Sequence, residues 1–224
     1  MSRDQNEKRR RLGRGATGEY YLQYNAESLS FPRNIFHQPK LETTAALSAA
    51  LPDGARVLDA GCSTGYVSWG LAPRLQLTGI DIEVEAVVFC HARRQGEFLR
   101  ADLSALPFRD DTFDLILFTN TIEHLEDPHP ILAELARVLK PAGKILVTTE
   151  NCANVFWLLL EQTWYRVFGG PCKPYRHDVH PQRYTPESLR RDVSQHLPVA
   201  SLLEAMLGME LILIAGKPGL GEKT

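Results

Sequence analysis

The sequence predicts an open, doubly wound α/β sheet, mostly parallel, and three observations carry that prediction. Short apolar runs alternate with amphipathic stretches from Val57 onward. The run Phe113–Thr119 (FDLILFT) is apolar almost throughout, as a strand covered on both faces must be. The first run, Val57-Leu58-Asp59-Ala60, passes directly into Gly61-Cys62-Ser63-Thr64-Gly65, a turn whose glycines let a ligand approach the backbone closely. Strands that alternate with helices imply parallel pairing through right-handed crossovers.

Each element has its own signal. Residues 39–51 (PKLETTAALSAAL) predict a helix with Pro39 in the first turn and Pro52-Asp53-Gly54 as its stop. After the first strand and its turn, a helix is expected over 66–72, a second strand over 75–82 (LQLTGIDI), a helix over 83–94 and a short strand over 97–101. Beyond Phe113–Thr119, Asp127 can cap a helix with Pro128 at its first position. Ile131, Leu132, Leu135, Val138 and Leu139 give that helix one apolar face, and Lys140-Pro141-Ala142-Gly143 ends it. A fifth strand is expected over 144–149 (KILVTT). Residues 153–168 are apolar around most of a helix circumference, which suits either a core helix or a lid over an apolar substrate. A loop over 169–184 precedes a helix capped by Thr185, with Pro186 at its start and its body over 188–196. Two strands, 199–206 and 209–215, close the chain as a hairpin about Gly208. The hairpin brings the sheet to seven strands, with an antiparallel element at its end.

Composition narrows the class. The chain has 224 residues, 44% hydrophobic and 23% charged, enough for one globular domain with a sizeable core. A formal net charge of -2 gives no argument for nucleic acid. Residues 1–15 carry Arg3, Lys8, Arg9, Arg10, Arg11 and Arg14 against Asp4 and Glu7. They are expected to be a flexible basic tail, with contact to an anionic polymer or membrane as the functional alternative. Residues 16–38 hold Tyr20, Tyr21, Tyr24, Phe31 and Phe36 and read as an aromatic N-terminal cap over core or pocket. No run is long and apolar enough to span a bilayer, and the first residues lack the apolar stretch of a secretory signal, so a cytoplasmic location is expected. Cys62, Cys90, Cys152 and Cys172 lack paired spacing and are expected as reduced thiols.

The chemistry gathers where the strands end. In an open parallel sheet the ligand lies across the carboxyl ends of the strands. Strand one presents Asp59, Gly61, Cys62, Ser63 and Gly65 there, and strand two ends in Asp81, where a carboxylate can bind both hydroxyls of a ribose. After strand three, Asp102 can accept from an exocyclic amine while Leu103 packs on a flat ring. Strand four ends at Thr119 and Asn120, followed by Thr121-Ile122-Glu123-His124. The dinucleotide pattern G-x-G-x-x-G is broken by Ser63, and no Lys-Ser/Thr follows the turn as in a P-loop. The set describes a nucleoside site without a phosphate clamp.

VLDAGCSTG, TGIDIE, RADLSALPFRDDTFDLILFTNTIEHLEDP and ELARVLKPAGKILVTTEN resemble, in order, the motifs of class I S-adenosylmethionine-dependent methyltransferases. The resemblance is to the branch acting on small molecules such as quinones, sugars and natural products. It covers residues 40–150 and, more loosely, Arg183-Tyr184-Thr185-Pro186-Glu187-Ser188-Leu189. It implies the Rossmann-like methyltransferase fold over residues 39–224, with 151–184 as a substrate-lid insertion. It also implies S-adenosyl-L-methionine as cofactor and S-adenosyl-L-homocysteine as product. Asp59 and the Gly61–Gly65 turn, with Cys62 and Ser63, would hold the methionine part. Asp81 would bind the ribose, Ile82 would touch the adenine, Asp102 and Leu103 would take its amine and ring, and the backbone of Thr119 and Asn120 would approach the sulfonium. Ser63 departs from the family's glycine, so it needs either a negative φ or a strained turn.

Methyl transfer to a weakly acidic hydroxyl needs a base. His124 is the first candidate, and His177 and His180 follow. Each can equally be a structural hydrogen-bonding residue, and the spacing of the last two is a poor metal motif. Tyr20, Tyr24, Glu150 and Asn151 are candidates for the substrate side. The function expected is transfer to the O, N or C atom of a small-molecule acceptor. An RNA or protein methyltransferase and a non-catalytic nucleoside-binding homologue are the alternatives. Gly61-Cys62-Ser63-Thr64-Gly65 also fits the G-x-S-x-G elbow of hydrolases, with Asp114 or Asp127 and His177 in the required order. That reading leaves Asp81 and Asp102 without a task.

Overall fold

The computed structural model describes residues 33–71, 73–162 and 180–219. The basic tail, Tyr20, Tyr21, Tyr24, Cys172, His177 and residues 163–179 of the expected lid lie outside them. A seven-stranded sheet forms the centre: β1 (Arg56–Ala60), β2 (Gln76–Asp81), β3 (Glu97–Arg100), β4 (Phe113–Thr119), β5 (Leu139–Glu150), β6 (Val199–Ala205) and β7 (Glu210–Gly216). Their order is β3-β2-β1-β4-β5-β7-β6. The first five are mutually parallel, whereas β7 runs antiparallel to both β5 and β6. The chain therefore winds outward from β1 in one direction to β3 and in the other to β5. The reversal of direction between β1 and β4 opens a crevice at their carboxyl ends.

The helices are α1 (Arg33–Ala49), α2 (Val84–Arg93), α3 (His129–Val138), α4 (Val155–Gln162) and α5 (Pro186–Ser194). The principal core joins Ile131, Leu132, Leu135 and Val138 of α3 and Leu189 and Val193 of α5 to inward residues of β1, β4, β5 and β7. On the other face Leu47 and Leu51 meet Val57, Leu115, Leu117, Leu146 and Ile212. A third cluster packs Val87, Phe89 and Cys90 of α2 against Phe98 and Cys62. Each apolar period thus finds a layer to cover, and β4, with Leu115, Ile116, Leu117 and Phe118 all buried, is the strand enclosed on both sides.

Three elements differ from expectation. α1 begins at Arg33 and contains Pro39 in its interior, where a proline at the first turn is expected. The Thr43 hydroxyl bonds the Pro39 carbonyl at 2.8 Å, and the stripe Lys40, Thr44 and Ser48 turns inward to the sheet, which holds the helix despite the proline. The segment after the glycine turn forms only a 3-10 turn, Ser68–Gly70, in place of the helix expected over 66–72. Last, Lys140-Pro141-Ala142-Gly143 lies within the long strand β5, with a bulge against β4. Thr185 caps α5 as expected: its hydroxyl accepts from Ser188 N–H, and the Ser188 hydroxyl accepts from Thr185 N–H. At the hairpin, Met206, Leu207 and Gly208 all take positive φ. No helix among the described residues is long and apolar enough to cross a membrane.

Candidate active site

β1 delivers Asp59 to the crevice, 2% exposed. Its Oδ2 has no partner among the described residues. Burial pushes its pKa up to about 6, against a hydrogen bond from Ser68 and with a further push from Asp81. A buried carboxylate with a spare oxygen is suited to a cation arriving from outside.

The turn that follows is built from positive φ: 79° at Gly61, 46° at Ser63 and 63° at Gly65. At Gly61 a Cβ would stand 2.6 Å from Thr121 Oγ1, so this glycine is needed for space as well as conformation. Ser63 takes the strained alternative. Its N–H donates to Asp81 Oδ2 at 2.8 Å, and its carbonyl accepts from Cys90 Sγ at 3.3 Å. The thiol of Cys62 is buried against Cys90, so only the backbone of Cys62 belongs to the site. Arg94 braces the turn from behind, donating to the Thr64 carbonyl at 2.9 Å while its guanidinium covers Trp69 at 4.5 Å.

Asp81 ends β2 half-buried, with Oδ1 receiving the Glu83 N–H at 2.9 Å. Burial raises its pKa, and the N–H groups of Glu83, Ser63 and Ile82 oppose that rise. Each oxygen keeps a second lone pair for a ligand hydroxyl. Asp102 is exposed beyond β3 and is oriented by the N–H and hydroxyl of Ser104, both on Oδ1 at 2.9 and 2.8 Å. Leu103 turns into the principal core, while Ile82 stays half-buried beside Asp81. The carboxylates of Asp59, Asp81 and Asp102 thus line successive strand ends.

Past β4, Asn120 takes a positive φ of 46° and becomes a hub. Its Oδ1 accepts from Lys40 Nζ and from the Thr148 hydroxyl, and its Nδ2 donates to Glu123 Oε1 at 3.2 Å and toward Glu150 Oε1 at 3.5 Å. Lys40 also pairs with Glu210 Oε1 at 2.7 Å, both side chains almost fully buried. The rings of His124 and His180 meet at 4.5 Å, with His124 exposed and His180 half-buried. Burial lowers the pKa of His180 to about 4, so it is neutral at neutral pH.

One expectation needs correction. Asn151 is buried and fully engaged: its Nδ2 donates to Glu204 and to the Gly208 carbonyl at 3.1 and 2.8 Å, and its Oδ1 receives the Ala153 N–H. It pins the β6–β7 turn and is not free to steer a substrate. The hydrolase elbow, already set aside on the sequence, also loses one of its two candidate acids. Asp114 stands at the opposite end of its strand from the glycine turn, bound by Lys140 Nζ and the Arg56 N–H, so it cannot serve Ser63. Conversely, Lys40, Glu123 and Glu210 were not expected at the site. Charged residues inside a helix or strand pattern read as surface until the fold shows what covers them. Among the described residues no group of three or more His, Cys, Asp or Glu is arranged to hold a metal.

The fold is a doubly wound α/β domain with a crevice lined by carboxylates, and comparison with known proteins shows what it is similar to. Residues 58–147 match the family described as methyltransferase domain. The chain is 34% identical over 113 residues to a ubiquinone biosynthesis O-methyltransferase of Idiomarina loihiensis, covering 47% of this chain and 46% of that one. It is 35% identical over 144 residues to a tRNA (carboxymethyluridine(34)-5-O)-methyltransferase of Arabidopsis thaliana, covering 60% and 35%. It thus spans about half or less of the length of these relatives. The fold is shared with a SAM-dependent methyltransferase of Methanosarcina mazei, at a TM-score of 0.61 and 22% identity over 78% of this chain and 98% of that one. Residues 58–147 are thus similar to a methyltransferase domain, on a fold shared with solved methyltransferases.

Proposed function

We propose that this protein binds S-adenosyl-L-methionine at the ends of β1, β2 and β3 and transfers its methyl group to a small-molecule acceptor. The observation that carries the reading is the buried, unpartnered oxygen of Asp59 beside a turn of positive-φ residues tied to Asp81. The residues fit the cofactor: Asp59 and the Gly61–Gly65 turn take the α-ammonium and carboxylate of its methionine part, Asp81 its ribose hydroxyls, and Asp102 its adenine amine, with Ile82 beside the ring and Leu103, turned into the core, supporting the Asp102 segment from behind. When bound, the sulfonium supplies an activated methyl group for in-line displacement. The chain's part is to align the acceptor with that methyl, exclude water and hold the proton the acceptor gives up. His124 and His180 face the acceptor side next to Glu150, so a proton leaving a hydroxyl finds acceptors there.

The quinone-pathway name of one relative supports a small, partly apolar acceptor, and so does the exposed apolar face of α4, where Val155, Phe156, Leu158 and Leu159 are each 40% exposed or more. The test is formation of S-adenosyl-L-homocysteine with three acceptor sets: phenols and quinols, carboxylic acids including acyl thioesters, and transcribed tRNA. Turnover with the first or second supports the reading. Turnover with tRNA alone, or with none of them, overturns the small-molecule assignment.

A further inference from the structure

At the carboxyl ends of β4 and β5 and the amino end of β7 three glutamates lie close together, and they are not equivalent. Glu210 has its counter-ion in Lys40. Glu123 is 2% exposed, and its Oε1 accepts from Asn120 while its Oε2 has no partner among the described residues. The Glu150 carboxyl stands beside it, because Asn120 Nδ2 reaches both Glu123 Oε1, at 3.2 Å, and Glu150 Oε1, at 3.5 Å. Two ionised carboxylates offer acceptors only and repel each other, so a buried neighbouring pair favours a state in which one holds a proton. Burial first, and then Glu150, push the Glu123 carboxyl well above the usual range.

The other groups around the pair are the following. Lys40 of α1 is committed to Glu210 and the Asn120 amide oxygen. Glu210 of β7 adds negative charge beside Glu150. His124 follows β4, and its ring meets His180, which also faces Glu150 and Arg183. Tyr184 is a buried phenol whose pKa is raised by burial and by its neighbours Asp192 and Glu123. The pair is thus deep at Glu123 and opens through Glu150 and His180 to the exposed His124.

We propose that Glu123 and Glu150 share a single proton and act as a proton store matched to the charge of the cofactor. The pair yields its proton to solvent when a sulfonium cation is seated beside Asn120, and regains one from a hydroxyl acceptor during transfer. The inference rests on the cofactor reading above. The charges and atoms balance. As the acceptor oxygen bonds the methyl carbon, the electron pair of the broken carbon–sulfur bond stays on sulfur and the hydroxyl proton moves to a Glu150 oxygen. The positive charge vanishes as the pair returns to its singly protonated form. The neutral thioether product therefore leaves the proton in place.

The test needs no acceptor. Titration calorimetry of the full chain at pH 7 with S-adenosyl-L-methionine, and separately with S-adenosyl-L-homocysteine, in phosphate and in Tris gives the protons exchanged on binding. Any proton released by Asp59 against the shared α-ammonium is common to both ligands and cancels in the difference. The sulfonium ligand is expected to release up to about one proton more than the thioether, and its affinity relative to the thioether to rise as much as about tenfold per pH unit where the pair titrates. Glu123→Gln and Glu150→Gln should each abolish that difference while both ligands still bind. Equal proton counts for the two ligands in the wild type, or a difference that survives either substitution, overturns the proposal. The wild-type comparison decides it even if a substituted chain does not fold. Failure of both ligands to bind overturns the cofactor reading and this inference with it, whereas equal proton counts with tight binding overturn this inference alone.

Discussion

Asp59 concentrates the physical argument in one side chain. An unfolded chain gives up this proton near the ordinary carboxylate value of 3.8, whereas the folded protein holds it until about pH 6. Between those values the folded state carries more protons, so stability falls as pH rises through the window. Above it the folded state bears a constant penalty on the order of 3 kcal/mol. Asp59→Asn should therefore raise the thermal unfolding midpoint of the ligand-free protein at pH 7, with the gain fading by pH 4, and should at the same time weaken cofactor binding. A substitution that stabilises the fold and harms binding marks a residue held for function; thermal melts across pH read the first effect. Ser63 makes a smaller version of the same case. Its φ of 46° is one that a glycine adopts freely, so Ser63→Gly should leave the fold equal or more stable by up to about 1 kcal/mol in urea unfolding.

Among the elements, α1 and the glycine turn decide the shape of the crevice. The Lys40–Glu210 pair fastens α1 to β7, and Lys40 also holds Asn120. Removing one partner strands a buried charge, so Lys40→Met should cost roughly 3–5 kcal/mol, and Lys40→Met with Glu210→Gln should recover much of that loss in urea unfolding. At the turn, Gly61→Ala places a methyl against Thr121 in a left-handed conformation, and a loss of at least about 1–3 kcal/mol is expected by the same measurement. What the sequence made legible at this scale followed from local rules. The apolar run of β4 and the Thr185 cap lie where alternation and capping chemistry put them. Pro39 misled because proline marks a helix start in isolation, while here the inward stripe of Lys40, Thr44 and Ser48 outweighs its missing N–H. Lys140-Pro141-Ala142-Gly143 misled for a related reason: turn residues are tolerated inside a strand where a bulge relaxes the register. The buried Glu123, Lys40 and Glu210 were illegible because burial of a charge depends on contacts distant in sequence.

Across the whole molecule, strand order fixes function to one edge. With β1 beside both β2 and β4, the carboxyl ends carrying Asp59, Asp81 and Asn120 converge at the point where the winding reverses, and β5 and β7 bring the glutamates alongside. The carboxylates read from separate motifs thus form one site through a topology that the alternation of strands and helices had already implied. The central claim is that this edge holds S-adenosyl-L-methionine through its carboxylates. Titration calorimetry with S-adenosyl-L-methionine on the wild type and on Asp81→Ala tests it most directly. Saturable binding to the wild type, weakened by roughly 1–3 kcal/mol in the variant, is the predicted result. Absence of binding at high micromolar concentration, or an affinity that Asp81→Ala leaves unchanged, would contradict it.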